Sequence, residues 1–165
     1  NNATITSNKL IRGFLVVYIA AQILIPFRHV LYPGNLFWTE EGFRFSWRVM
    51  LMHKEGTATF YVRDKATGRE TEIDNNMYLN QTQIDQMSTQ PDMILQYAQY
   101  LKKQFDGQTF RYGSESITVT DPSIHAEIYV SLNNRPSQLF VSKAHDLSKL
   151  PYNLSHRPWI ETFQK

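Results

Sequence analysis

The chain contains no cysteine. That excludes a disulfide framework, a thiol nucleophile and a cysteine-ligated zinc site, while leaving the compartment open. A concentrated field of positive charge is also missing. The formal net charge is +2 and the lysines and arginines are scattered, so no basic stripe suits a nucleic acid. There is no Gly-rich phosphate loop, no Gly-x-Ser-x-Gly elbow and no P-loop. The histidines His29, His53, His125, His145 and His156 lack metal-ligand spacing, and no metal site is expected. Glu40 and Glu41 are adjacent, so on a strand they face opposite sides, which does not suit paired acid and base work. No catalytic residue is therefore assigned within the chain, and no internal repeat or low-complexity segment is present.

What is present is a chain of 165 residues, 42% hydrophobic and 13% aromatic, long enough for one ordered domain with a real core. It opens on the polar stretch "NNATITSNKL" without a methionine, which suggests a piece of a longer protein. The stretch "GFLVVYIAAQILIPF", Gly13 to Phe27, is free of charge, with Lys9 and Arg12 before it and Arg28 after it. It reads as a helix stopped by Pro26. At about 22 Å it falls short of the roughly 30 Å hydrocarbon thickness of a bilayer. Two readings stay open on length: a buried or interfacial helix, or the exit end of a membrane-spanning one.

Residues 43–51 alternate, with Phe43, Phe45, Trp47, Val49 and Leu51 on one face and Arg44, Ser46, Arg48 and Met50 on the other. This period predicts a strand with its aromatics in the core. Arg44 and Arg48 then lie about 13 Å apart on one face. They are either solvated or placed to hold carboxylates in fork geometry. A turn is predicted at His53 to Gly56, a second strand in "TATFYVRD", a turn at Lys65 to Gly68, and a third strand in "RETEID". Two helices follow, one around "QIDQMS" and a longer one in "STQPDMILQYAQYLKKQFDG", whose Ile94, Tyr97, Ala98, Leu101 and Phe105 share a face. Strands return at Ser116 to Thr120, in "SIHAEIYVSL" and in "SQLFV", the last two joined by "NNRP". The tail reads as irregular, anchored by Trp159 and Ile160. The class expected is α+β: a mainly antiparallel β-sandwich with a two-helix insertion, preceded by one apolar N-terminal helix. Residues 1–34 form the lead-in and helix, and residues 35–165 the extramembrane β-rich domain.

Three segments in order, "LFWTEEGFRFSWRVMLMHKEG", "PDMILQYAQYL" and "IHAEIYVSLNNRPSQLF", resemble the part of the vitamin K-dependent gamma-carboxylase family that follows its membrane helices, in a bacterial-type relative. The likeness runs from about Ile11 to Trp159. Phe43, Phe45, Ser46 and Trp47, with the run Ser131, Asn133, Arg135 and Gln138, carry most of it. The resemblance implies an integral-membrane enzyme that oxidises reduced vitamin K with oxygen. The strong base so formed takes a proton from the gamma carbon of a protein glutamate, and carbon dioxide then adds. It also implies that the catalytic lysine lies in the membrane-embedded half, outside this chain, and that the chain itself binds no cofactor.

By the same resemblance, Phe43, Arg44, Phe45, Ser46, Trp47 and Arg48 are candidates for binding a glutamate-containing protein or peptide. Tyr129, Ser131, Asn133, Arg135, Gln138 and Phe140 are candidates for recognising its propeptide. The animal enzymes differ here, with tyrosines flanking a glycine at Phe43-Arg44-Phe45 and an aspartate at Arg48. The implied partners are the upstream membrane helices of the same protein, the substrate, and membrane lipid at the N-terminal helix. Residues 35–165 are then exoplasmic or lumenal, and the membrane reading of the first helix is favoured. The alternative is a non-catalytic peptide- or protein-binding β-sandwich module attached to a membrane protein of other function.

Overall fold

The computed structural model describes residues 2–48, 51–112 and 115–164. Helix α1 (Asn2–Leu24) leads the chain. Pro26 has no N–H to continue the ladder, and the backbone tightens into a 3-10 turn over Ile25–Leu31. The stretch Asn8–Leu31 has a mean hydropathy of 2.0 and is only 6% buried, long and apolar enough to cross a membrane.

The centre of the fold is a four-stranded antiparallel sheet in the order β2-β1-β5-β6. Strands β1 (Lys54–Arg63) and β5 (Ser123–Leu132) pair along their whole length, from Lys54 opposite Leu132 to Arg63 opposite Ser123. Because side chains alternate, Phe60 and Val62 share one face with Ile124, Ala126, Ile128 and Val130, and all six are buried. Strand β2 (Glu70–Ile73) and strand β6 (Gln138–Val141) flank the pair.

Helices α3 (Gln81–Met87) and α4 (Pro91–Phe105) cover the apolar face. Helix α4 presents Ile94, Tyr97, Ala98, Leu101 and Phe105 as the period requires, and all are buried. Tyr97 meets Phe60 edge-on at 4.9 Å and 83°. Burial, with Tyr78 and Tyr100 nearby, raises the Tyr97 phenol above its usual range, and its hydroxyl donates to Asn75 Oδ1 at 3.2 Å. The α+β class, the antiparallel strands, the inserted helices and the leading apolar helix all stand. The layer over the sheet is helical, while the second sheet is the two-stranded ribbon of β3 (Thr109–Tyr112) and β4 (Glu115–Thr118).

Among the described residues 43–48 and 51, the predicted strand is not formed. A short helix α2 (Leu36–Thr39) is followed by turns through Trp47, while Val49 and Met50 lie outside the described residues. Left-handed backbone at Glu40 (φ 58), Gly42 (φ 72), Phe45 (φ 66) and Trp47 (φ 50) interrupts any extended run. The expected faces are therefore not kept: Phe45 is 76% exposed and Trp47 70%, whereas Ser46 is 5% exposed. The turn predicted at His53 to Gly56 is corrected as well. Lys54, Glu55 and Gly56 already belong to β1, because β5 extends far enough to pair with them.

The tail is irregular, with Trp159 and Ile160 buried as anchors and Ile160 bridged to Val141 at the edge of β6. Just before β5, Asp121 receives Lys102 Nζ of α4 at 2.8 Å together with Lys65 after β1. These hydrogen bonds, that from Lys102 first, draw its carboxyl down to about 2. Its folded pKa thus lies below its unfolded one, near 3.9. The stabilisation is complete above that value and lost as pH falls toward 2. The melting-temperature gap between the native protein and Asp121→Asn is expected to close from about pH 5 to about pH 2. A gap constant across that range would mean the ion pairs add nothing.

Candidate functional site

Proline at position 26 and glycine at position 42 build the site. Pro26 turns the chain out of α1, and Gly42 lets the backbone after α2 return against that turn. A Cβ on Gly42 would lie 2.7 Å from His29 Cα and 2.9 Å from His29 N, closer than two carbon-bearing backbones tolerate. The turn itself is held locally: Asn35 caps α2 through the Phe37 amide at 2.9 Å, and Ser46 Oγ donates to the Phe43 carbonyl at 2.5 Å.

Against the end of α1 this segment encloses a groove of about 800 Å³. One wall is Tyr18, Ala21, Gln22, Ile25 and Pro26; the other is Phe43, Arg44, Phe45, Ser46, Trp47 and Arg48. Within the helical wall, Gln22 Nε2 donates to the Tyr18 hydroxyl at 2.9 Å. All six residues singled out in the sequence thus meet at one opening, through turn geometry instead of a strand face.

The two arginines differ in their partners. Arg44 pairs with Asp92 at the start of α4, at 2.8 Å, and its carbonyl accepts Arg28 Nη2 at 2.9 Å. Arg48 lies 5.7 Å above the Phe37 ring and 3.3 Å from His29 Nε2. His29 Nδ1 faces the Pro26 carbonyl at 2.9 Å, which can only accept. Nδ1 therefore carries the hydrogen, and Nε2 accepts from Arg48. No carboxylate among the described residues lies within ion-pair distance of Arg48.

A charged layer supports the segment from behind. Glu41 is buried and accepts from His156 Nδ1 at 2.9 Å and from the Arg157 amide, residues 115 and 116 positions away. Arg157 also pairs with Asp92, so the C-terminal tail and α4 share one ion-pair group with Arg44. Lys54 Nζ reaches Glu40 Oε1 and the Trp38 carbonyl, each at 2.7 Å. Burial lowers the Lys54 pKa, and Glu40 opposes that shift. Arg28, Gly42, Glu41 and Asp92 were not recognisable in the sequence, since each acts through a partner distant along the chain.

The second set of candidates does not line the groove. Tyr129 is exposed on the open face of the sheet, its hydroxyl donating to Glu127 Oε1 at 2.9 Å, a bond that raises the phenol's pKa. Ser131 Oγ donates to the Arg135 carbonyl at 2.7 Å, and Asn133 Oδ1 accepts the His53 amide at 2.7 Å. Both shape the β5–β6 turn, where Asn133 and Asn134 take positive φ. Arg135 stands over the Phe163 ring at 5.6 Å, and Gln138 exchanges two hydrogen bonds with the Gln164 backbone. Phe140 is wholly buried against Trp38, ring centroids 4.9 Å apart, and reaches no surface. Of this set, Tyr129, Asn133 and Arg135 are exposed, and Asn133 spends its side-chain oxygen on the His53 amide.

Together these features define an α+β domain, with an arginine- and aromatic-lined groove where an apolar helix of bilayer length meets the turns that follow α2. Residues 7–165 match the family model of the vitamin K-dependent gamma-carboxylase lumenal domain. The chain belongs to that family. No solved structure matches it.

Proposed function

We propose that this chain is the lumenal part of a gamma-carboxylase-like membrane protein, and that its groove binds an acidic side chain of a protein or peptide substrate. One observation carries the reading: Phe43 to Arg48 all line a single opening that borders the membrane-length helix, with Arg48 unpaired by any described carboxylate. A guanidinium offers a planar fork that matches a carboxylate, and the neighbouring rings cover the aliphatic part of the substrate side chain. Tyr129 and Arg135 lie elsewhere and suit a second, extended contact with the same polypeptide.

The parent protein's reduced vitamin K supplies the strong base, and its membrane helices supply the catalytic lysine. This chain's own residues bind and orient. Lys54 is held by Glu40 beneath Trp38 and does not line the groove, so it is no candidate for that lysine.

Two measurements test the reading. The intact protein, given reduced vitamin K, bicarbonate and glutamate-containing peptides, is expected to yield carboxylated product. Replacing Arg44 and Arg48 together by glutamine is expected to raise the peptide's KM about 10- to 100-fold with kcat little changed, since charge-assisted hydrogen bonds are lost. The melting temperature should move little, because Arg44 is a largely exposed ion-pair partner and Asp92 keeps Arg157. Unchanged KM, or loss of cooperative unfolding, would show both arginines to be structural. Peptide binding without product would favour a binding module lacking chemistry.

A further inference from the structure

Two rings at the opening of the groove, Phe45 and Trp47, and three apolar side chains of the 3-10 turn after α1, Phe27, Val30 and Leu31, turn to solvent. All are exposed. They come from two segments joined by an edge-to-face contact between Phe27 and Trp47, with ring centroids 6.0 Å apart. An exposed apolar cluster of this kind marks a docking surface.

Phe27, Val30 and Leu31 are the last apolar residues of the stretch Asn8–Leu31, and Phe45 and Trp47 extend it. One cation borders it: Arg28 lies 5.8 Å over the Phe45 ring, donates Nη2 to the Arg44 carbonyl, and has no carboxylate within ion-pair distance among the described residues. Exposed aromatics at the end of a span, edged by an arginine with no carboxylate partner, match the two zones of a bilayer surface: the acyl boundary and the phosphate layer above it. A soluble protein partner fits less well, because Phe27, Val30 and Leu31 are themselves the end of the stretch long and apolar enough to cross a membrane.

The geometry points to a membrane-docking lip, in which Phe27, Val30, Leu31, Phe45 and Trp47 seat in the headgroup–acyl boundary of the leaflet where α1 ends, with Arg28 at the lipid phosphates and Arg48 left to the groove. The lip fixes the groove at the bilayer surface, so that a substrate is presented there and not from the bulk. This rests on the reading of α1 as a membrane span and needs no particular groove ligand.

Trp47 makes the test direct, because Trp38 and Trp159 are both buried in the core. The full chain is reconstituted in phosphatidylcholine vesicles containing lipid brominated either near the carbonyl or near the methyl end of the acyl chain. Shallow bromine is expected to quench Trp47 roughly twice as strongly as deep bromine. Trp47→Phe should abolish that difference while leaving the core emission. Retention after an alkaline carbonate wash reports separately whether α1 spans. A retained chain whose Trp47 is quenched by aqueous iodide and not by lipid overturns the lip while α1 stands. Quenching by neither means protein covers the patch, which also overturns it. A chain washed off the vesicles removes the span reading and the lip together.

Discussion

Gly42→Ala is expected to destabilise the protein by about 2–5 kcal/mol and to open the groove. The left-handed φ of +72 alone costs an alanine about 1–2 kcal/mol. The larger effect is steric, because the new Cβ would sit 2.7 Å from His29 Cα and 2.9 Å from His29 N. Those are backbone atoms and cannot swing aside, so the two segments must part, with an overpacking cost of about 1–3 kcal/mol. Separation breaks the Arg48–His29 contact and moves one groove wall away from the other. Denaturant unfolding measures the loss, and peptide affinity measures the opening. Gly68→Ala is the control: its φ is +69, but nothing lies within 4 Å of the added Cβ. If both variants lose the same stability, the contact with His29 is not what holds the groove closed.

The second large effect concerns Glu40 and Lys54. The Lys54 side chain is 4% exposed, and its ammonium rests on Glu40, the Trp38 carbonyl and the Phe140 ring, the last at 5.1 Å. Glu40→Gln removes the anion and leaves the cation buried, an expected loss of about 3–5 kcal/mol. Burial already sets the folded pKa of Lys54 below its ordinary value of 10.5. Between the folded and unfolded values the unfolded chain binds more protons, so stability rises with pH across that window. The variant lowers the folded pKa further, and its deficit should shrink on going from about pH 7 to about pH 10. Adding Lys54→Met is expected to restore most of the loss, because the unpaired charge is then gone. A deficit independent of pH, and not relieved by Lys54→Met, would assign the loss to the Glu40 backbone instead.

Much of the fold was legible. The alternation of Ile124 to Leu132 could belong only to a strand with one buried face, and the α4 positions Ile94 to Phe105 only to a helix packed on it. The turn at Asn133-Asn134 follows from the two residues that best tolerate left-handed backbone after glycine. The family could be named from three separated segments because each carries local pattern.

Residues 43–48 show where such reading stops. Their alternation is that of a strand, yet Glu40, Gly42, Phe45 and Trp47 adopt left-handed backbone, and the aromatics face outward. No neighbour along the chain dictates this. It comes from the approach of Gly42 to His29, the hold of His156 and Arg157 on Glu41, and the pairing of Arg44 with Asp92. The sequence by itself determined the apolar helix, its stop at Pro26, the central strands, the packed helix and the family, since each depends on periodicity or on a single residue's backbone limits. Only the tertiary structure decided that Phe43 to Arg48 wall a groove beside α1, because contacts between distant segments outweigh local strand preference there.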